Sequence, residues 1–552
     1  MSVFSESYGF NAFSSSLFFS IVCMVVLPFL IIREIFKPID QRKAPAGKQW
    51  KLPPGPRGIP IFGSLLEFRK ARSDSAQLSQ WLSSLSQYGE MTTVHLGSKT
   101  WVLLNSDRVV SELIAKRGAL TSERPDLPIA SSLVSNDKRS VLRRSARWAE
   151  GRRAMHHLLN GAALRTYGGW QELETAHLLA ACLLQPRRWH KHHFRYANSV
   201  VHWIVLGERL LRPTPELDAL LAVTIEFVRA INASLVDFFP RLAALPRVLQ
   251  PWRAYWARMG AAHRAVFVAW WEPVKRAVEA GTAPASFVRD GLLAEDTAYC
   301  GTDEEAMYLA LSVVSAGSDN TRLALNTFVM AVLCHPGVFE RARREIDGVC
   351  GDGGGSGAGG GTGAGSGTGT GAATASTLRL PTLADMPALP FTCAIIKELL
   401  RWRPLVPTIP PHDLTQDLDF EGYRFPAGIS FVINSIAVCN AVPDPDAFRP
   451  ERWIDGKGGE ANITEGLWQF GGGRRVCVGY RVAQMELFIA VARLIAGFDY
   501  KANGPYDSRR LRHDIMDEPF PVTVSVRSKA YEELILREAE RLGVLQSAKD
   551  GF

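Results

Sequence analysis

Residues 470–479 read Phe-Gly-Gly-Gly-Arg-Arg-Val-Cys-Val-Gly, and this stretch decides the fold. The apolar periodicity of residues 482–496 predicts a helix directly after it, so Cys477 should lie just before a helix N-terminus. The helix dipole, unpaired backbone N–H groups and the neighbouring Arg474 and Arg475 favour a thiolate there. The glycines allow the backbone to approach a flat ligand closely. A structural cysteine at a loop–helix junction is the alternative interpretation.

The spacing around Cys477 favours a ligand site over that alternative. Phe470, Gly473, Arg475, Cys477 and Gly479 fill the pattern F-x-x-G-x-R-x-C-x-G, in which five fixed positions carry different chemistry. No C-x-x-C pair occurs among the other cysteines, which stand at positions 23, 182, 300, 334, 350, 393 and 439. Scattered cysteines in a long chain exclude a disulfide framework and indicate a reducing compartment.

Four further motifs stand along the chain in a fixed order. They read Trp148-x-x-x-Arg152, Ala316-Gly-Ser-Asp-Asn-Thr321, Glu398-Leu-Leu-Arg401 and Phe448-Arg-Pro-Glu-Arg-Trp453. With these motifs and the cysteine loop, the chain resembles the cytochrome P-450 family of haem-thiolate monooxygenases, and its microsomal, fungal-type members above all. The resemblance covers roughly residues 53–527. It implies that Cys477 binds the iron of haem b as a thiolate, a ligand that favours O–O cleavage.

The resemblance also implies roles for the other motif residues. Glu398, Arg401 and Arg452 should form a buried charge network that serves folding and haem retention, because buried charges are tolerated only when they are paired. The haem propionates need cationic or N–H partners. The residues expected to contact the cofactor are Trp148, Arg152, His412 and Arg475 at the propionates, Phe470 and Gly479 in the cysteine loop, and Ala316 and Gly317, which should make room for dioxygen.

The oxygen-binding motif departs from the family pattern. Asn320 stands where the family carries a threonine, and Thr321 follows it. Asp319 should assist proton delivery, and the amide of Asn320 can still hydrogen-bond oxygen or water. Which of Asn320 and Thr321 serves proton delivery stays open. A second departure is the stretch 438–445, which is shorter than is usual in the family.

The expected fold is mainly α with small β-sheets: one large haem domain behind an N-terminal transmembrane helix. Residues 1–33 contain an uncharged apolar run at 17–32, followed by a basic flank. This pattern predicts a retained anchor with the body in the cytosol, and a cleaved signal peptide is the rival. We expect a basic linker at 34–52, the catalytic domain at 53–530 with a flexible glycine-rich insertion at 351–377, and a C-terminal tail at 531–552. Strand-like runs occur at 92–96, 101–104 and 431–434.

The function that the resemblance implies is oxidation of a lipophilic or aromatic small molecule, a secondary-metabolite intermediate, by hydroxylation or oxidative phenol coupling. O2 is the oxidant, and NADPH supplies electrons through a flavoprotein NADPH-cytochrome reductase. The expected location is the endoplasmic reticulum membrane, crossed once and contacting lipid. A reductase-independent haem-thiolate isomerase or dehydratase is the alternative, and a haem-binding protein without turnover is a third possibility. The probable walls of the substrate pocket are Ala316 and residues 127–134 and 406–409.

The charge distribution bears on the partner. The net charge is +8, and basic residues cluster at 138–153. The chain shows no zinc-finger spacing and no basic stretch interleaved with aromatic residues, so nucleic acid is not the expected partner. Arg143, Arg144, Arg147 and Arg153 could instead dock an acidic reductase by electrostatic steering, with a solvated helix face as the alternative.

Overall fold

The computed structural model describes residues 36–41, 49–158, 161–297, 299–351, 378–454, 463–464, 466–508 and 519–550. The predicted anchor at 1–33 lies outside the described residues, as does the glycine-rich insertion apart from Gly351. Among the described residues, no single helix is long and apolar enough to cross a membrane. One pair of helices, Asp303–Cys334 and Pro336–Cys350, meets the criteria together but is bent by 108°.

The body is built from helices, as predicted. In chain order they are α1 (Leu65–Ala71), α2 (Ser75–Leu85), α3 (Asp107–Val110), α4 (Ser145–Leu158), α5 (Gly161–Leu184), α6 (Trp189–Leu206), α7 (Pro215–Ala230), α8 (Leu235–Phe238), α9 (Arg253–Glu279), α10 (Asp303–Cys334), α11 (Pro336–Cys350), α12 (Pro390–Trp402), α13 (Ser435–Asn440), α14 (Tyr480–Gly497), α15 (Lys529–Arg541) and α16 (Leu545–Asp550). The largest hydrophobic core joins α5, α6, α10, α12 and α14.

The long helix α10 runs through this core. Its start is fixed by a capping box, in which the Thr302 side chain accepts a hydrogen bond from Glu305 N and the Glu305 carboxylate accepts one from Thr302 N. The helix packs along α6, and it also contacts α14, the helix that follows Cys477. The predicted helices at 304–333 and 482–496 are therefore confirmed, and they lie against each other.

The sheet component is small and lies beside the helical core. The strands are β1 (Met91–Leu96), β2 (Lys99–Leu104), β3 (His412–Asp413), β4 (Leu418–Phe420), β5 (Tyr423–Phe425), β6 (Ser430–Ile433), β7 (Phe498–Ala502) and β8 (Val522–Val526). The main sheet has the order β1-β2-β6-β3, with β2 and β6 parallel and the other pairs antiparallel. The three predicted strand runs are thus confirmed as β1, β2 and β6.

The predicted linker and tail belong in part to the folded body. In the linker, the ring of Phe36 packs edge-on against Phe239 at 5.3 Å, and Lys51 N donates to Arg424 O. At the other end, Tyr531, Leu534 and other apolar side chains of α15 and α16 enter the main core. The boundary predicted at residue 531 is therefore wrong, because the amphipathic helix α15 buries its apolar face against α5.

The buried pair of Glu398 and Arg401 on α12 organises the chain after β6. Neither side chain has exposed surface, and Arg401 donates from Nε and Nη2 to the two carboxylate oxygens at 2.9 and 2.7 Å. Glu398 also accepts from Trp453 Nε1 and Arg449 N, and Arg452 Nε lies 3.6 Å from Oε1. The structure thus joins the three residues of the predicted network.

The same network leads to the cysteine loop. Arg401 Nη1 donates to the carbonyl oxygen of Cys439, at 3.3 Å. The thiol of Cys439 lies 3.5 Å from Gln469 Nε2, and Gln469 Oε1 accepts from Val406 N. Because Gln469 directly precedes Phe470, the buried ion pair holds the start of the loop that carries Cys477.

We expect Glu398→Gln to lower the free energy of unfolding by about 3–5 kcal/mol, because it leaves the Arg401 charge buried without its counter-charge. The haem-to-protein ratio should fall with it. Denaturant titration and pyridine haemochrome absorbance measure the two quantities. Glu451→Gln is the matched control, since Glu451 pairs with Arg341 at an exposed position and its loss should cost about 1 kcal/mol or less. Equal stability of the two variants would contradict the role of the network.

Candidate active site

The loop before α14 holds Cys477 through backbone geometry that requires glycine. Cys477 N donates to Phe470 O at 2.7 Å, which closes the loop. Gly473 has a φ of +58°, and a Cβ there would stand 2.2 Å from Ile114 O. Both the left-handed conformation and the close approach exclude a side chain. The glycines that the sequence offered as room for a flat ligand therefore also let the loop pack on the segment around Ile114.

The thiol of Cys477 is accessible to a solvent-sized probe although protein surrounds it closely. Desolvation raises the pKa of this thiol, and the Gly479 N–H and the Arg152 charge oppose the rise without reversing it. The prediction that Arg474 and Arg475 favour the thiolate is therefore wrong. The Arg474 side chain is exposed, and Arg475 donates to Ser122 O and Arg143 O. Deprotonation must come from coordination to a metal, which deprotonates a thiol outright.

Arg475 and Trp148 form one side of an anion site. The guanidinium of Arg475 lies 3.9 Å from the centre of the Trp148 ring, and that of Arg152 lies 5.8 Å from it. Arg475 is buried, and its Nη1 has no hydrogen-bond partner in the part of the chain that the structure describes. Desolvation lowers the pKa of Arg475 to about 10, so the group stays charged at neutral pH.

His412 lies at the same site, on β3. Its Nδ1 donates to Thr121 O at 2.6 Å, and its Nε2 has no partner among the described residues. Burial and the nearby Arg124 lower the pKa of His412 to about 3. Donation from Nε2 therefore requires an anion close enough to stabilise the imidazolium, as a haem propionate would be.

Arg124 is a residue of this site that the sequence analysis missed. It donates from Nη1 to the carbonyl oxygens of Pro410 and Pro411 and from Nε to Val141 O. Burial and the charge of Arg475 lower its pKa to about 9. A signal existed, since Arg124 follows Glu123 in a segment that otherwise lacks charges up to Asp126. Unpaired buried donors beside an accessible thiol fit a flat ligand that carries carboxylates and a thiolate-binding iron.

The opposite wall of the site is formed by α10. Between residues 306 and 331, Ala316 and Asn320 are the exposed residues, one helical turn apart on one face. Gly317 does not share that face: a Cβ there would stand 2.7 Å from Val201 on α6. The room expected from Gly317 is therefore used for packing between helices, and Ala316 alone supplies it on the exposed face.

The three predicted proton-delivery residues point in three directions. Asn320 Nδ2 donates to Ala316 O at 2.9 Å on the exposed face. Asp319 is buried and forms an ion pair with Arg322. Thr321 is buried, and its hydroxyl donates to Glu486 Oε2 at 3.3 Å on α14. The structure therefore does not bring the three side chains together on one surface.

Glu486 is a second residue that the sequence analysis missed. Burial raises its pKa well above the ordinary value, so the carboxyl is protonated at neutral pH. Its Oε1 has no partner among the described residues. A glutamate within the apolar stretch 482–496 is the signal that could have identified it, because a carboxyl group on a buried helix is rarely without a role.

The basic surface near α4 is smaller than predicted. Arg144, Arg147 and Arg153 are exposed, with Arg144 Nε 3.6 Å from Glu123. Arg143 instead forms an ion pair with Glu305, and 10% of its side chain is exposed. Arg143 therefore fixes the start of α10 and is not part of the exposed surface.

Together the fold, the cysteine loop and the anion site define a haem-thiolate protein. The family model for cytochrome P450 matches residues 53–516, and the chain belongs to this family. It is 30% identical to the cytochrome P450 monooxygenase fogE of Aspergillus ruber over 90% of this chain and 91% of that relative. It is 29% identical to the cytochrome P450 monooxygenase virE of Hypocrea virens, over 89% and 88%.

A solved structure shows the same fold. A zebrafish cytochrome P450 with abiraterone superposes with a TM-score of 0.60, covering 82% of this chain and 100% of that chain at 22% identity. The protein is thus an oxidoreductase of the monooxygenase type whose cofactor is haem iron with an axial cysteine thiolate.

We expect Cys477→Ala to abolish the red-shifted Soret band of the reduced carbon-monoxide complex, because the thiolate that shifts the band is removed. Absorption difference spectroscopy measures the band, and far-UV circular dichroism checks the fold. Cys300→Ala is the control, since this exposed cysteine lies outside the site. A band that persists in Cys477→Ala would refute the assignment.

Proposed function

We propose that the enzyme oxidises a lipophilic or aromatic small molecule, an intermediate of secondary metabolism, by hydroxylation or phenol coupling. The observation that carries the proposal is the exposed face of Ala316 and Asn320 on an otherwise buried helix that packs on the helix after Cys477. The adjoining predicted walls are apolar: Ile129 and Ala130 belong to one hydrophobic cluster and Ile409 to another. Such walls suit a lipophilic substrate.

The haem, when bound, supplies the activation of O2 by two electrons. The chain's own residues have to hold substrate and deliver protons. The Asn320 amide is held by the Ala316 carbonyl, which leaves one N–H and the carbonyl oxygen free on the exposed face. We assign the positioning of oxygen or water to this amide, while Thr321 and the protonated Glu486 form a separate buried pair behind the helix.

We further propose that electrons come from NADPH through a flavoprotein reductase at the endoplasmic reticulum membrane. The exposed Arg144, Arg147 and Arg153 would meet an acidic surface on the reductase. The N-terminal segment would anchor the chain in the lipid, with the catalytic domain in the cytosol. An exposed apolar segment supports contact with lipid, since Val248 is 88% and Leu249 57% exposed, and Arg247 adjoins them.

With reductase and NADPH, the wild-type enzyme should consume O2 and form product in the presence of a substrate found by metabolite screening. Arg144→Glu with Arg147→Glu should raise the reductase concentration for half-maximal turnover about tenfold at low salt, because it reverses two exposed charges. Haem content should stay unchanged. Arg258→Glu on α9 is the control for a remote charge reversal. Equal turnover of both variants would sink the docking surface, and product without NADPH and O2 would favour the isomerase or dehydratase.

Asn320→Ala should lower the product formed per NADPH by a factor of about ten and raise hydrogen peroxide, because the amide that orients oxygen is lost. Asn320→Thr should retain much of the coupling through its hydroxyl. Product and peroxide are measured against NADPH oxidation. Ser318→Ala is the matched control, since Ser318 is buried on the same helix and bonds Val314 O. Uncoupling by Thr321→Val with normal coupling in Asn320→Ala would assign the role to Thr321 instead.

A further inference from the structure

A second cavity lies outside the haem site. It has a volume of about 520 Å³ and is bounded by the segment Pro128–Leu133, the first half of α9 and Tyr308 of α10. Tyr308 precedes Ala316 by two helical turns, which places it about 12 Å away along α10. The volume lies within the range of small-molecule sites, about 300–1,000 Å³.

The walls of this cavity are fixed by close packing. A Cβ on Gly260 would stand 2.0 Å from Leu133 O, so the absence of a side chain lets the segment seat against α9. At the other end, the buried Gln250 donates from Nε2 to Ala243 O and Leu245 O, at 3.0 and 2.6 Å. These contacts give the cavity a preformed shape.

The charge of the lining is positive. Arg253 and Arg264 line the cavity, and no aspartate or glutamate does. Arg264 is paired with Glu304, whereas Arg253 forms no ion pair with a described residue. Arg253 also begins α9, whose first turn has no acidic residue and whose N-cap, Trp252, makes no side-chain cap. The helix dipole and the free guanidinium therefore both favour an anion at this end.

Tyr308 supplies an unused hydrogen-bond donor at the cavity wall. The residue is 1% exposed, and its ring packs edge-on against Phe267 at 5.3 Å. Its hydroxyl has no partner among the described residues. A buried hydroxyl without a partner is costly, and a bound ligand would satisfy it.

We propose that this cavity binds an amphipathic carboxylate, with the acid group at Arg253 and Tyr308 and the apolar body along Leu133, Ala257 and Ala261. The exposed apolar side chains of Val248 and Leu249 precede Gln250, which lines the cavity, and they offer a lipophilic molecule a path to it. The site is separate from the haem, so the proposal does not depend on which reaction the haem site performs.

Calorimetric titration of the full haem-loaded chain tests this site directly. The iron is first saturated with 4-phenylimidazole, verified by its absorption spectrum, so that the haem site is closed. The probe is naphthalene-2-carboxylate, and naphthalene-2-carboxamide is its neutral counterpart. We expect one equivalent of the carboxylate to bind, at least about tenfold more tightly than the carboxamide, because a hydrogen bond to a charged group exceeds a neutral one.

Arg253→Gln and Tyr308→Phe should each weaken carboxylate binding about tenfold and leave carboxamide binding unchanged. Arg258→Gln is the matched control, because Arg258 lies on α9 outside the cavity lining. The Soret spectrum of each variant reports that the haem domain is folded. Equal affinities of Arg253→Gln and Arg258→Gln would overturn the proposal, as would loss of carboxylate binding once the iron is saturated.

Discussion

The bidentate ion pair of Glu398 and Arg401 is the interaction on which the haem site depends. Both groups are fully buried, so their desolvation is offset only because every carboxylate oxygen and most guanidinium N–H groups find partners. The partners are largely backbone groups of residues 439–449. The pair therefore fixes a loop and not merely a helix, and through Cys439 and Gln469 it fixes the start of the cysteine loop.

The chemistry at Cys477 follows from this rigid enclosure. A thiol in a closed site has a raised pKa, and the Gly479 N–H and Arg152 reduce the effect only in part. The chain therefore does not prepare a thiolate in advance of the cofactor. Unpaired donors on Arg475 and His412 act on the far side, where the propionates belong. Binding of haem relieves both costs at once, because iron takes the thiolate and the carboxylates take the donors.

Much of this arrangement follows from local sequence. The glycine positions of the cysteine loop, the capping box of α10 and the spacing of Glu398 and Arg401 each act within a few residues, so a motif captures them. Arg124 and Glu486 escaped because their roles come from burial between distant elements. Arg143 and Gly317 were misjudged for the same reason: a pairing with Glu305 and a contact with Val201 arise only when helices pack.

The replacement of threonine by Asn320 gains meaning from helix geometry. Successive residues on a helix turn by about 100°, so Asp319, Asn320 and Thr321 cannot share one face. Thr321 therefore cannot stand in for the displaced hydroxyl by moving one position, and it bonds Glu486 behind the helix instead. The amide of Asn320 remains on the exposed face, tied to the Ala316 carbonyl. An amide cannot pass on a proton as readily as a hydroxyl, because it has no ionisable O–H, so its contribution is to orient water or oxygen. Delivery of the proton itself then falls to that water, which makes access of solvent to this face a controlling feature of the reaction.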